Sequence, residues 1–168
     1  DFSDNGYSVV FSSFYNNGYY PLNNKVKKKV FNSSNKLLLL YDIRRYVRLN
    51  KFDVVICFMY PISYTLCIAL LGMRNKPFII SSERSDPSKP THHKIEKYLR
   101  IWSYNSSNHV VFQTEQARNY FKNSLKCKTS IIENPISDNL PEPYKGIRKK
   151  NIIAIGRLTE QKNFELLI

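Results

Sequence analysis

Short apolar runs alternate with amphipathic stretches along most of the chain. Five runs have the length and the Val, Ile and Phe content of buried strands: residues 8–11, 53–58, 77–81, 109–112 and 130–132. Residues 25–31 alternate less regularly and include four lysines, which predicts a short strand at an exposed edge. The pattern therefore predicts a sheet with a largely apolar interior.

Four further stretches predict helices: residues 37–51, 62–74, 91–104 and 114–125. The first has apolar residues on one side and arginines on the other: Leu39, Ile43, Tyr46 and Val47 against Arg44, Arg45 and Arg48. Packing of the apolar side on a sheet is the interpretation we favour, because every packed helix needs such a stripe. The alternative, contact of the basic side with an anionic bilayer, is not excluded by the packing of the apolar side.

Two other helices carry more specific predictions. Thr114 precedes the last one and has the side-chain oxygen that an N-cap requires. In the helix at residues 91–104 we expect four apolar residues to lie in the core because they recur at helical spacing: Ile95, Tyr98, Leu99 and Trp102.

Strands and helices alternate at the spacing of βα units, so the predicted fold class is α/β, a Rossmann-like parallel sheet with helices on both faces. Ligands of such sheets collect at the carboxyl ends of the strands. Glu83 and Arg84 lie in the polar segment 82–87, directly after the third buried run, and we predict a site there. The alternative is a surface loop in which Arg84 pairs with Glu83 or Asp86 and contributes little to stability.

Residues 151–168 predict the first strand, turn and helix of a second domain. The β-branched run 151–155 ends at Gly156, and Asn163 can cap a following helix. Arg157 and Lys162 lie between strand and helix, and two cations beside a helix N-terminus predict a phosphate or diphosphate site. The alternative is an ordinary turn with two solvated cations.

A stretch rich in proline and basic residues separates these parts. We therefore predict a first domain at residues 1–136, an interdomain linker at 137–150 and the start of a second domain at 151–168.

The net charge points to an anionic partner. The 168 residues include 26 Lys and Arg against 13 acidic residues, a net charge of +13. Nucleic acid, an anionic membrane surface and phosphorylated substrates are the candidate partners. No nucleic-acid-binding motif is present and the aromatic residues fall at core spacing, so a basic nucleic-acid-binding module is only the second hypothesis, and we expect no nucleic acid as a partner.

The cysteines give no sign of a metal site. Cys57, Cys67 and Cys127 contain no C-x-x-C pair, and the three histidines of the chain show no ligand spacing with them. We expect no metal and, from the lack of paired cysteines, a reducing compartment, with the cytoplasm as the default.

Five motifs occur in a specific order: Asp53-Val54-Val55-Ile56, Ser82-Glu83-Arg84-Ser85-Asp86-Pro87, Val110-Val111-Phe112-Gln113-Thr114, Ile131-Ile132-Glu133-Asn134-Pro135-Ile136, and Ile155-Gly156-Arg157-Leu158 with Lys162-Asn163. Together they resemble the retaining glycosyltransferases of family 4, and the resemblance spans residues 6–168. It implies the GT-B fold, in which a first Rossmann-like domain binds the acceptor and a second binds a nucleotide-sugar.

The resemblance also implies roles for individual residues. Gly156, Arg157 and Lys162 match the family's donor-diphosphate site, and Glu83 and Arg84 lie near the position of an active-site histidine that this sequence lacks. The implied reaction is hexosyl or N-acetylhexosaminyl transfer from a UDP-sugar to a polyprenyl-diphosphate-linked saccharide. It implies a peripheral enzyme at the cytoplasmic face of an anionic membrane, with the nucleotide-sugar as substrate, bacterial surface polysaccharide as product, and no cofactor.

Two departures concern completeness. Family members begin with a strand and a glycine-rich turn, and carry an E-x7-E pair of glutamates further along the second domain; neither is found in these residues. We therefore expect a partial acceptor domain with the first unit of a donor domain, and little or no transferase activity from this segment alone. Another enzyme of the same architecture, such as a nucleotide-sugar epimerase, is a third hypothesis, because fold does not determine function.

Overall fold

A computed structural model describes residues 2–16, 21–88, 94–136, 140–147, 149–156 and 163–167. The chain divides into two compact units, Asp1–Asn134 and Pro135–Ile168. The elements of the first unit, which alternate between strand and helix from β2 onward, are β1 (Val10–Ser13), β2 (Lys27–Val30), α1 (Lys36–Asn50), β3 (Val54–Phe58), α2 (Tyr60–Ala69), β4 (Phe78–Glu83), α3 (Lys94–Asn105), β5 (His109–Phe112), α4 (Glu115–Phe121) and β6 (Lys128–Ile131).

All strand pairs that the structure describes are parallel. β1 pairs with β2, and β3, β4, β5 and β6 form a four-stranded sheet in that order. Neighbouring strands of the larger sheet follow one another in the chain, and each is connected to the next through a helix, as parallel pairing requires. The predicted class, a Rossmann-like α/β fold with parallel sheets flanked by helices, is confirmed.

The core lies between the larger sheet and its helices. α2 contributes Leu66 and Leu70, which pack with Cys57 of β3 and Ile79 of β4. A second cluster surrounds Phe121 of α4 and includes Val110, Phe112 and Tyr104. Cys57, Val110 and Phe112 lie on one face of the sheet, because residues opposite or two apart in paired strands share a face.

The opposite face of β3, with the start of β4, is exposed and apolar. Val54, Ile56 and Phe58 of β3 and Phe78 of β4 all expose large parts of their side chains there. A parallel sheet is normally covered on both faces, so this surface is unusual for the fold.

α1 packs its apolar stripe inward, as the favoured interpretation predicts. Ile43 and Val47 are buried in the core, and Asn35 caps the helix by accepting from the backbone N–H of Leu37 at 2.8 Å. Arg44, predicted on the basic side with Arg45 and Arg48, has a structural contact instead. Its Nη1 donates to the carbonyls of Ala69 at 3.0 Å and Leu71 at 2.7 Å, which satisfies the carboxyl end of α2.

Several predicted boundaries differ from the structure. α2 ends at Ala69, whereas the prediction extended the helix to residue 74, and the chain turns through Gly72, whose φ of 71° suits glycine. β4 continues to Glu83, whereas the prediction ended the strand at residue 81. Thr114 caps α4 as predicted, accepting from the N–H of Ala117 at 3.1 Å, but α4 ends at Phe121.

The core prediction for α3 is wrong in part. Ile95 and Tyr98 are exposed, while the buried residues of this helix are Arg100, Ser103 and Tyr104. The inner side of α3 is polar because it faces the carboxylate of Glu83. A periodicity argument assigns apolar residues to the interior and cannot anticipate a polar interior side.

In the second unit, the predicted strand at residues 151–155 is not formed, and Ile152, Ile153 and Ile155 are exposed. A strand needs a partner for its backbone groups, and none pairs with this run among the described residues. A 3₁₀ helix at Phe164–Leu167 follows Asn163, where a helix is predicted to begin.

Candidate functional site

The carboxyl ends of the four parallel strands lie at one edge of the larger sheet. Ligands of Rossmann-like folds bind at this edge. β3 ends at Phe58, β4 at Glu83 and β5 at Phe112. Met59, the N-cap of α2, and Arg84, the first residue of the loop after β4, therefore lie at this edge. This edge of the sheet is the candidate functional site.

Glu83 directs its carboxylate into the protein and is only 1% exposed. Oε2 accepts from Nε of Arg100 at 2.6 Å and from the hydroxyl of Tyr104 at 2.7 Å, and Nη2 of Arg100 also donates to it. Oε1 accepts from the backbone N–H of Ser85 at 3.0 Å and from its hydroxyl at 2.7 Å. Protein donors therefore occupy both carboxylate oxygens.

Arg100 also contacts two aromatic rings. Its guanidinium carbon lies 4.8 Å from the ring centre of Tyr60 and 5.2 Å from that of Phe121, within the range of a cation–π contact. Burial by itself lowers the pKa of Arg100, but the charge and hydrogen bonds of Glu83 outweigh it and raise the pKa above its usual value. Arg100 is therefore a permanent positive charge in the interior.

Tyr104 completes the cluster as a neutral donor. Burial raises the pKa of its hydroxyl, and the negative charge of Glu83 raises it further. The phenol thus keeps its proton at neutral pH and donates a hydrogen bond to the carboxylate. Glu83, Arg100 and Tyr104 together satisfy one another in a water-excluded position, as a buried charge requires.

Arg84 points away from this cluster. Its side chain is exposed, and its guanidinium carbon lies 5.8 Å from the ring centre of Phe58 at the end of β3. Successive residues at the end of a strand face opposite sides, which separates Glu83 from Arg84. A local ion pair between Glu83 and Arg84 is not formed, because Glu83 pairs with Arg100.

The segment after β4 is fixed by short hydrogen bonds. Ser85 is bound to Glu83 and also accepts from Nη2 of Arg100 at 3.2 Å. Asp86 accepts from the backbone N–H and the hydroxyl of Ser88 at 2.9 and 2.6 Å. The buried cluster therefore anchors the start of an otherwise exposed loop that holds Arg84 at the edge of the sheet.

Two contacts join neighbouring strands at this edge. Met59 has a φ of 77°, a strained value for a side chain of its size, and its N–H donates to the carbonyl of Ser82 at 3.0 Å. Gln113, after β5, donates through its amide to Asn134, after β6. This edge thus presents the exposed guanidinium of Arg84 and the amides of Gln113 and Asn134, and hydrogen bonds connect its neighbouring strands.

Arg100 and Tyr104 are absent from the sequence-predicted site. They follow Glu83 by 17 and 21 residues, and neither belongs to a local motif with it. One signal in the sequence is the spacing of four residues between Arg100 and Tyr104 on the next helix after β4, since that spacing puts both on one side of the helix.

The predicted diphosphate site is only partly within the described residues. Gly156 is exposed in the second unit, and Arg157 and Lys162 lie outside the residues that the structure describes. Their role in holding a diphosphate therefore stays a prediction.

A shallow depression of about 420 Å³ lies at the opposite, amino end of the sheet, between Phe78, Lys126 and Lys128. Asn108, at its border, accepts from the backbone N–H of Ile79 at 2.8 Å and so supports the fold. The depression lies at the end of the strands opposite to Glu83 and Arg84. We place the candidate site at the carboxyl ends because Rossmann-like folds bind their ligands there.

Within the described ranges, no group of three or more His, Cys, Asp and Glu side chains could hold a metal ion. In that same part of the chain, each helix is too short or too polar to cross a bilayer.

The sequence is similar to the amylovoran biosynthesis glycosyltransferase AmsD of Erwinia amylovora, with 30% identity over 176 aligned positions. The alignment covers 99% of this chain and 49% of that protein, so the chain spans about half the length of the curated relative that it matches. No protein-family model matches the sequence. The similarity supports a glycosyltransferase family, in agreement with the Rossmann-like sheet.

Proposed function

We propose that this protein transfers a sugar from a nucleotide-diphosphate sugar, with UDP as the nucleotide, to a saccharide carried on polyprenyl diphosphate. The observation that carries the proposal is the similarity to a glycosyltransferase of amylovoran biosynthesis along 99% of the chain. The product is a bacterial surface polysaccharide, in the manner of an O-antigen or lipopolysaccharide saccharide. Transfer is of a hexosyl or N-acetylhexosaminyl group, retains the anomeric configuration and uses the nucleotide-sugar as substrate without a cofactor.

Arg84 and Glu83 have different roles in this proposal. Arg84 is exposed at the carboxyl edge, so it binds the anionic part of the acceptor. Glu83 is buried with both oxygens occupied, so it acts as a positioning residue that fixes Ser85 and the loop bearing Arg84. Arg84→Gln should raise the KM for the acceptor with little change in nucleotide affinity.

Arg157 and Lys162, with the turn at Gly156, bind the donor diphosphate in this proposal. Fixed positive charge offsets the negative charge that develops on the leaving nucleotide during transfer. Hydrogen bonds between charged groups are the strong ones, so each cation should contribute measurably to nucleotide affinity.

The test is calorimetric titration of UDP into the full-length protein and its Arg157→Ala and Lys162→Ala variants. We expect each substitution to weaken binding roughly tenfold or more, as for loss of a hydrogen bond between charged groups. Lys149→Ala and Lys150→Ala remove nearby exposed charges and are the matched controls, expected to bind UDP like the unmodified protein. Absence of UDP binding, or equal losses in the controls, would overturn the donor-site proposal.

The nucleic-acid-binding alternative is not favoured, because the matched relative is a glycosyltransferase. It would explain the net charge of +13 but not the order of the motifs.

A further inference from the structure

The side of α1 that faces away from the core is apolar as well. Ile43 and Val47 point inward, while four large apolar residues on the outward side are 56–76% exposed: Leu37, Leu38, Tyr41 and Leu49. At about 100° per residue these four fall within roughly one third of the helix circumference, opposite the buried stripe. A helix packed on a single core needs only one apolar stripe.

Arginines lie within this same outward arc. Arg45 and Arg48 are exposed, and neither forms an ion pair with another described residue. Asp42, the only acidic residue of α1, lies at the border of the arc. The outward arc therefore combines large apolar side chains with positive charge, a composition typical of helices that lie in the headgroup region of a bilayer.

Arg44 differs from these two arginines because its guanidinium already binds the carbonyls at the carboxyl end of α2. Arg44 therefore supports the fold, whereas Arg45 and Arg48 form no ion pair with any described residue. Charge complementarity with the +13 chain favours an anionic occupant for the outward face.

We propose that the outward face of α1, formed by Leu37, Leu38, Tyr41, Arg45, Arg48 and Leu49, docks on an anionic phospholipid bilayer. The apolar side chains enter the acyl boundary and the two arginines contact lipid phosphates, so the helix lies parallel to the surface. This inference rests on the surface of α1 and not on transferase activity. It supplies the means by which an enzyme without a membrane-crossing helix in its described residues meets a lipid-linked acceptor.

The test is co-sedimentation of the full-length protein with phosphatidylcholine vesicles, with and without phosphatidylglycerol. We expect binding only to the anionic vesicles. Arg45→Gln/Arg48→Gln should weaken it roughly 30-fold, because each basic residue near such a surface contributes roughly fivefold to the affinity. Leu38→Gln/Leu49→Gln should weaken it roughly tenfold or more, since apolar burial is lost. Glutamine keeps the helix propensity in both variants.

Two controls separate this face from others. Lys122→Gln/Lys126→Gln removes the same amount of charge from exposed positions between α4 and β6, outside α1. This variant should bind the vesicles normally. Val54→Thr/Ile56→Thr changes the exposed sheet face and should also bind normally. Equal loss in either control would overturn the proposal, as would wild-type binding by both α1 variants or binding to neutral vesicles alone.

Two other occupants of the face have recognisable outcomes. A dimer in analytical ultracentrifugation that Leu38→Gln/Leu49→Gln disrupts, without vesicle binding, would make the face a protein interface. Release from vesicles by duplex DNA at equal phosphate concentration would favour a nucleic-acid site. Both results would contradict bilayer docking. UDP titration without vesicles, on the same preparations, reports the donor site separately, so failure of one proposal is distinguishable from failure of the other.

Discussion

Glu83 and Arg100 form an ion pair from which water is excluded. Nε of Arg100 donates to Oε2 of Glu83 at 2.6 Å, and the two side chains retain 0% and 4% of their exposure. The pair connects β4 to α3 beneath the loop that carries Arg84. Its energetic role differs from that of a surface ion pair, because loss of one partner leaves the other charge buried and unpaired.

Arg100→Met should therefore reduce the free energy of unfolding by about 3 to 5 kcal/mol. The measurement is urea denaturation followed by far-UV circular dichroism. The exposed pair of Arg118 with Glu115 provides the control, and Arg118→Met should cost less than about 1 kcal/mol. The double variant Glu83→Gln/Arg100→Met should lose less than the sum of its single changes, because the partners are coupled. Simple additivity would contradict the buried-pair account.

Tyr104→Phe should cost about 1.5 to 3 kcal/mol at neutral pH, because a hydrogen bond to a charged group is lost. The folded state raises the pKa of Tyr104 above its usual value of 10.0, so its contribution is complete below pH 10. At higher pH the unfolded chain releases this proton first, and stability falls by up to about 1.4 kcal/mol per pH unit.

Urea denaturation across the alkaline range should therefore show a shallower decline for Tyr104→Phe than for the unmodified protein. Tyr98→Phe removes a hydroxyl from a side chain that is 73% exposed and should leave neutral-pH stability unchanged. If the free energy of unfolding of Tyr104→Phe and of the unmodified protein fell equally with rising pH, the raised pKa of Tyr104 would be contradicted.

The three cysteines should react at different rates with iodoacetamide at pH 8. Burial, together with the nearby Cys67, raises the pKa of Cys57 to about 12, although a hydrogen bond from Ser63 partly offsets this. Cys57 and Cys67 are buried, whereas Cys127 is half-buried. Because the thiolate is the reactive form, peptide mass spectrometry should find Cys127 modified first and the other two only after unfolding. Equal labelling of Cys57 and Cys127 under native conditions would contradict the packing of β3.

Arg44→Met should reduce stability and Arg45→Met should not, although the two residues are adjacent. Arg44→Met removes two hydrogen bonds to the carboxyl end of α2 and should lower the unfolding free energy by about 1 to 2 kcal/mol. Arg45→Met should leave stability within about 0.5 kcal/mol of the unmodified protein, since the side chain is exposed. Thermal denaturation of both variants is the measurement. A larger loss for Arg45→Met would mean that the outward face of α1 is covered.

Much of the fold follows from local patterns. The apolar runs predict β3 and β5 closely, and Thr114 is recognisable as a cap, because burial and capping depend on residues close together in the chain. The end of α2 is not predictable in this way, since its last carbonyls are satisfied by Arg44 from another helix. Local propensity contains no information about that contact.

In the candidate site, too, some features can be predicted from the sequence and others cannot. The position of Arg84 at the carboxyl edge follows from strand order, and its side chain is exposed there. Its role in a site stays a prediction. The burial of Glu83 does not follow, because a carboxylate is normally exposed unless paired, and its partner comes from α3. The same cause explains the wrong prediction for Ile95 and Tyr98, because helical spacing alone cannot show that the inner side of α3 binds a buried carboxylate.

The strand order of the larger sheet, β3-β4-β5-β6, has a consequence for synthesis. Each new βα unit can add to the edge left by the preceding one as the ribosome releases it, so no strand has to wait for a distant partner or insert between two others. β4 is the exception, because the charge of Glu83 at its end stays in water until Arg100 emerges 17 residues later. The growing chain can therefore complete β3 and α2 early, whereas the burial of β4 awaits α3.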